Sequence, residues 1–381
     1  MTLPAAASLT RDQTGKLMVA MGHPSYRGDQ LRRHLWRGRA DGFDAMGDLP
    51  ARLRAELPAA LRWSSLELLG SQAADRGLTD KLLFGTSAGH EVEAVMIAHP
   101  GAEGTRARQT VCVSSQAGCA IGCVFCATGR LGLRANLQAE EIVDQVLEAS
   151  RRWARQGQGT PTNVVYMGMG EPLQNYSAVV DSVRLLHEWG IPLRQVVIST
   201  SGMAPEIRRL ADEGLPVRLA ISLHAADDEL RERLVPLNRR YPIATLIEAA
   251  QEFTAKTGRR VSLEYVLIRG VNDDLGSAER LRGLAARVHG HVNLIPMNPI
   301  PGSDLQAPGP GACREFAGRV GPRATIRFSR GDRASAACGQ LRAALGANPK
   351  SERRAAALEL ALAAPAGGAA TAANPSSSAR S

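Results

Sequence analysis

From about residue 110 onward the apolar residues follow two alternating rhythms. Short runs rich in Val and Ile suit strands buried on both faces, and longer stretches with apolar residues three or four apart suit helices with one apolar face. Strands are expected over 111–115, 163–169, 195–201, 217–224, 260–268, 291–295 and 324–328. Helices are expected over 139–152, 179–189, 205–213, 243–257, 277–288 and 311–320. In the first helix Ile142, Val143, Val146 and Leu147 fall on one face. Strands that alternate with helices form right-handed βαβ units and a parallel sheet. About six repeats make an α/β fold, a partial (β/α)6 barrel of the TIM type over 111–342. In such barrels the chemistry sits at the carboxyl ends of the strands.

The flanks read differently. Leu31 and Leu35 recur at helical spacing, with Asp29 placed to cap that helix and Arg32, Arg33, Arg37 and Arg39 on or near its other face. A second short helix runs from Pro50 through Leu57. Residues 1–65 thus form a small helical accessory domain. Its arginines are read first as a solvated face and second as an RNA contact. Strands over 65–69, 79–83 and 90–97 make a linking region, 66–110, in which alternation puts Glu91 and Glu93 on one strand face. Beyond Leu345 the chain is mostly Ala, Gly, Pro, Ser and Arg, a composition that buries no core, so 343–381 is expected to be a disordered tail.

Composition narrows the class. The 381 residues are 44% hydrophobic and 22% charged, as in an ordinary globular protein. No apolar run of about 18 residues is present to span a membrane. The first residues lack the basic and apolar regions of a secretory signal. Six cysteines in so long a chain, three of them clustered, do not form a disulfide framework, which points to the cytoplasm. A net charge of +9 leans modestly toward a nucleic-acid partner.

The clustered cysteines are Cys119, Cys123 and Cys126, spaced C-x3-C-x2-C after the first barrel strand. So tight a loop can turn three thiolates onto one iron–sulfur cluster, leaving one iron without a protein ligand. Zinc is the bland alternative. It takes four ligands, commonly in C-x2-C pairs, and no fourth ligand lies close by in sequence.

This loop resembles that of the radical S-adenosylmethionine (SAM) superfamily. The resemblance implies that Cys119, Cys123 and Cys126 hold a [4Fe-4S] cluster whose open iron is chelated by SAM, which on reduction yields a 5′-deoxyadenosyl radical. The segment 167–172, Met-Gly-Met-Gly-Glu-Pro, resembles the superfamily's SAM-amino motif at Gly170 and Glu171. Ser199, then Ser222, Leu223 and His224, then Asn298 close later strands and suit the rest of SAM, although each alone reads as a strand cap.

Three cysteines remain. Cys313 reads as a small buried hydrophobe. Cys112 lies on the first barrel strand, and Cys338 lies in a small-residue segment after the last. The segments 112–119, 167–172, 222–224, 293–299 and 336–341 together resemble the adenine-C2 methyltransferases of 23S ribosomal RNA and transfer RNA. The likeness runs from the helical unit to about Leu341. It implies that Cys338 takes a methyl group from one SAM. A second SAM supplies the radical that removes hydrogen from that methyl, and the resulting methylene radical adds to adenine C2. A base then removes the C2 proton, and Cys112 attacks Cys338, releasing product with a transient disulfide. Glu93 in Val-Glu-Ala-Val matches the family's base, with Glu91 as runner-up.

Two departures stand out: a longer connection between Ile97 and Gln109, and a more basic approach, 330–335, to Cys338. The resemblance implies 23S rRNA and tRNA as partners, a flavodoxin- or ferredoxin-type electron donor, no membrane, and a monomer. The rivals are the sister activity at adenine C8, which gives antibiotic resistance, and a non-catalytic, metal-stabilised RNA-binding protein.

Overall fold

A computed structural model describes residues 3–37, 40–101, 107–300, 302–327 and 339–341. The chain opens with three helices, α1 (Arg11–Ala20), α2 (Arg27–Arg37) and α3 (Ala51–Ala60). Strands β1 (Leu66–Ala74), β2 (Thr79–Thr86), β3 (Glu91–His99) and β4 (Arg108–Cys112) follow. A hairpin of β5 (Gln116–Cys119) and β6 (Gly132–Asn136) encloses the short helix α4 (Ala127–Leu131). Then come α5 (Ala139–Arg155), β7 (Asn163–Tyr166), α6 (Tyr176–Glu188), β8 (Val196–Thr200), α7 (Ala204–Asp212) and β9 (Arg218–Ser222). The series closes with α8 (Asp228–Leu234), α9 (Ile243–Thr257), β10 (Val261–Leu267), α10 (Leu275–Arg287), β11 (His291–Pro296), α11 (Pro310–Val320) and β12 (Ala324–Ile326).

One sheet holds ten of these strands, in the order β1-β2-β3-β4-β7-β8-β9-β10-β11-β12. Steps from β4 to β12 are parallel, as the alternating pattern predicts, whereas β1, β2 and β3 join antiparallel. Among the described residues β1 and β12 end the ladder, leaving a partial barrel. Its outer face is apolar: Val164, Ile198, Leu219, Leu263 and Leu294 are buried beneath the helices. None of the described helices is long and apolar enough to cross a membrane.

The N-terminal helices pack on α5 and α6, and their Leu31, Leu35, Leu53 and Leu57 belong to the same apolar cluster as the barrel helices. Two expectations for this unit are corrected. Asp29 does not cap α2, which begins at Arg27; it sits in the first turn and accepts two 2.7 Å bonds from Arg11. Nor does Arg32 face solvent. It is buried, donates to the carbonyls of Leu9 (2.8 Å) and Glu188 (2.7 Å), and lies 3.9 Å over the Trp189 ring. Burial lowers its pKa to about 10. Its amphipathic side chain closes the seam between α2 and α6. Arg39, Phe328 and the tail fall outside the described residues.

The first two barrel strands end earlier than expected, because the chain turns into the site. The first ends at Cys112, and the second ends at Tyr166 instead of Met169. Gly168 packs so closely on Val113 that a Cβ there would lie 2.7 Å from its carbonyl.

Candidate active site

The carboxyl ends of the parallel strands meet at one mouth, where the turn 167–172 is tied to the chain leaving β4. Gly168 N–H donates to Val113 O (3.0 Å), Met169 N–H to Ser114 Oγ (2.8 Å) and Glu171 N–H to Gln116 Oε1 (2.8 Å). Gly170 has φ 106°, and a Cβ there would lie 2.7 Å from Gln116 Cβ, so only glycine fits. Glu171 is 2% exposed. Its carboxylate accepts from Leu173 N–H (3.1 Å), Ser201 N–H (2.7 Å) and the Ser201 hydroxyl. Burial pushes its pKa up, against the pull of those bonds. Two carboxylate oxygens have more acceptor sites than these three donors fill, so a ligand ammonium can still be received.

Ser199 is buried near the end of β8, and Asn298 is buried two residues beyond the end of β11. Leu223 and His224 donate their N–H groups to the Glu264 carbonyl at 3.0 and 3.3 Å. His224 adopts the left-handed region, φ 60°, and its Nδ1 accepts from Val266 N–H at 3.1 Å. Its ring meets Phe125 edge-on at 4.5 Å, so it braces the cysteine loop. Burial, helped by the Arg231 charge, lowers its pKa to about 3. The ring is therefore neutral, with its proton on Nε2.

Arg231 is a residue that sequence reasoning missed. It is fully buried and donates to Leu223 O (3.0 Å), Ser201 O (2.6 Å), Ser222 O (3.3 Å) and Asn238 Oδ1 (2.8 Å). One guanidinium thus ties together the ends of β8 and β9, and its charge also bears on Cys123. Burial lowers its pKa to about 10.

The cysteine loop leaves β5 at Cys119 and ends at Cys126, the N-cap of α4. Val124 N–H donates to Leu234 O (3.2 Å), which docks the loop on α8. Burial raises the pKa of all three thiols, and Cys123 feels the like charges of both Cys126 and Cys119. Three thiols whose burial disfavours the thiolate give up their protons to a metal centre, which is the donor chemistry of an iron–sulfur cluster. Among the described residues no three His, Cys, Asp or Glu gather as a single metal ion requires. A cluster that offers one iron to each thiolate makes no such demand.

Cys112 ends β4 and is buried. It pairs with Val95 of β3, so Glu93, two residues along, shares its face. The Glu93 carbonyl accepts from Ser114 Oγ (2.5 Å), and its carboxylate pairs with Lys81 Nζ (3.0 Å). Glu91 lies two residues further out on the same face, and its Oε2 is buried without a hydrogen-bond partner among the described residues. Cys313 is buried on α11, as expected of a small hydrophobe. Cys338 lies outside the described residues. Its chain neighbour Gly339 accepts at O from Ala127 N–H (2.8 Å), Gln340 Nε2 donates to Pro299 O (3.0 Å), and Leu341 O accepts from Thr128 Oγ1 (2.7 Å). The segment after Cys338 is therefore fastened to the start of α4, directly after the cysteine loop, and to Pro299 beyond β11.

Comparison with known proteins agrees with this geometry. The Radical SAM superfamily profile matches residues 113–280. A probable dual-specificity RNA methyltransferase RlmN of Frankia alni is 48% identical, covering 88% of this chain and 82% of the relative. One of the same name from Moorella thermoacetica is 44% identical, covering 86% of this chain and 94% of the relative. The crystal structure of a radical SAM methyltransferase from Sphaerobacter thermophilus superposes with a TM-score of 0.82 at 47% identity, covering 89% of this chain and 99% of that one. This chain belongs to the radical SAM methyltransferases, the family of these relatives, and works with a [4Fe-4S] cluster and SAM.

Proposed function

We propose that this protein methylates C2 of an adenosine in the peptidyl transferase centre of 23S ribosomal RNA, and of one next to the anticodon in transfer RNA, through an S-methylated Cys338. The observation that carries this reading is the junction of three segments at one mouth: the Cys112–Glu93 face, the cysteine loop, and residues 339–341 bonded to α4, the helix that Cys126 of that loop caps. The relatives' names, dual-specificity RNA methyltransferase, point to the same class of substrate.

When bound, the cluster and SAM supply a hydrogen-abstracting radical, which a carbon as electron-poor as C2 requires. The protein does the rest. Cys119, Cys123 and Cys126 hold the cluster, and Gly170, Glu171, Ser199, Ser222, Leu223, His224 and Asn298 hold SAM. Cys338 carries the one-carbon unit to the base and is joined to C2 in a covalent adduct. Glu93 takes the C2 proton as the C–H bond breaks. The Cys112 thiolate then attacks the Cys338 sulfur; an S–S bond forms as the S–C bond breaks, its electron pair stays on the one-carbon unit, which takes up a proton to become the methyl group, and the methylated base leaves. Residues 1–65 act as an accessory RNA-binding unit, 66–110 supply the base, and 111–342 hold the cofactors. The protein works in the cytoplasm, as a monomer, with a flavodoxin- or ferredoxin-type reductant.

Mass spectrometry of nucleosides from a methylase-null host expressing the chain tests the reading. 2-Methyladenosine in both rRNA and tRNA is the expected result. 8-Methyladenosine, or neither product, overturns it.

A further inference from the structure

We propose that Lys81 is the positioning residue that keeps Glu93 ionised and aimed at the substrate proton, an inference that rests on the reading of Glu93 as the base. Lys81 of β2 is in register with Val95 of β3, which is in register with Cys112 of β4. Glu93, two residues from Val95, lies on the same face as all three. Lys81 Nζ stands 3.0 Å from Glu93 Oε1, with the two side chains only 15% and 4% exposed. Lys81 thus reaches diagonally across the ladder to the carboxylate.

Two features of the site oppose a charge on Glu93. Burial disfavours a carboxylate, and Glu91, on the same face of β3, disfavours a second one. Among the described residues Cys112 of β4 also lies on this face, with His99 and Arg108 further along it. Asp80, beside Lys81 in sequence, does not compete for its charge, because alternation turns it to the other face, where it pairs with Arg152 at 3.4 Å. An opposite charge within about 4 Å lowers a carboxyl pKa by about one to three units. A proton on Glu93 would block its work as a base, so Lys81 acts through Glu93 without touching the substrate.

The test is the pH profile of single-turnover methyl transfer by the holoenzyme. Lys81→Met should move the acidic limb upward by about one to three pH units. Below the new limb, RNA-linked protein should accumulate, because the adduct forms but is not deprotonated. Lys81→Arg should restore both readouts. If Lys81→Met does not fold, Lys81→Gln, neutral and still a hydrogen-bond donor, is judged by the same limb. An unmoved limb, or a uniform loss that Arg does not rescue, overturns the proposal. Glu93→Gln separates the two layers of the argument. Full activity in that variant overturns the base reading itself, whereas an inactive Glu93→Gln beside an unmoved Lys81→Met limb overturns the role of Lys81 alone.

Discussion

On β8, β9, β10 and β11 the chain runs toward the mouth, so the residues that reach it are the last of each strand. On β3 it runs the other way, and the residues that reach the mouth are the first, Glu91 and Glu93. The two halves of one sheet equip the mouth differently. The parallel half ends in Ser199, Ser222 and Asn298, and its buried charges are neutralised by neutral groups: Glu171 by Ser201 and Leu173, Arg231 by carbonyls. The antiparallel half carries a buried ion pair, Lys81 with Glu93. Neutral dipoles that converge from many strand ends suit a zwitterionic cofactor. A charged pair on one strand face suits proton transfer. In the proposed mechanism one half binds the cofactor and the other does the acid–base work.

The largest effect should come from Cys338→Ala. Methyl transfer should vanish while SAM cleavage persists, read as 5′-deoxyadenosine by liquid chromatography. Retained methylated RNA would break the division of labour, since no carrier would then link the halves. Gly170→Ala strikes only the parallel half. A Cβ 2.7 Å from Gln116 Cβ, at φ 106°, costs about 1–3 kcal/mol of strain, so SAM affinity by calorimetry should fall about tenfold or more. Unchanged affinity would remove this turn from the SAM site.

His224 sharpens the comparison through pH. Burial lowers its pKa in the folded protein from 6.5 to about 3, so the unfolded chain binds that proton more readily. Its contribution to stability is complete above pH 6.5 and is lost progressively as the pH falls toward 3. Chemical denaturation of His224→Gln should therefore show a shallower loss of stability across that window than wild type. Equal slopes would contradict the neutral, Val266-bonded ring. The smallest effect is expected from deleting 346–381, which should leave turnover within about twofold of wild type. A large loss would mean that the two halves of the sheet do not suffice.

Much of this was legible in the residues because it is written in periodicity. The helix expected over 243–257 coincides with α9, and every barrel strand lies where its apolar run placed it, give or take its ends. The cysteine loop was legible from spacing alone. Other features were hidden for physical reasons. Helix α1 has no clear apolar stripe, and its signal is the Thr10–Gln13 capping box. The β5–β6 hairpin is broken up by Gly118 and Gly132 at positive φ, which erase a strand pattern. Arg231 sits in a run of charged residues that reads as a solvated helix face; only the tertiary fold turns it inward. Lys81 looks like the polar half of an edge strand until the register with β3 and β4 shows that its face is the barrel interior. Arg32 was misread for the opposite reason, because its partners Glu188 and Trp189 are far away in sequence.

The most direct test of the division between the halves is a single-turnover reaction of anaerobically reconstituted Glu93→Gln with RNA, scored for 5′-deoxyadenosine, RNA-linked protein and released methylated RNA together. The account predicts 5′-deoxyadenosine at wild-type yield, accumulated RNA-linked protein and no released product. Released product, or loss of 5′-deoxyadenosine, would contradict it.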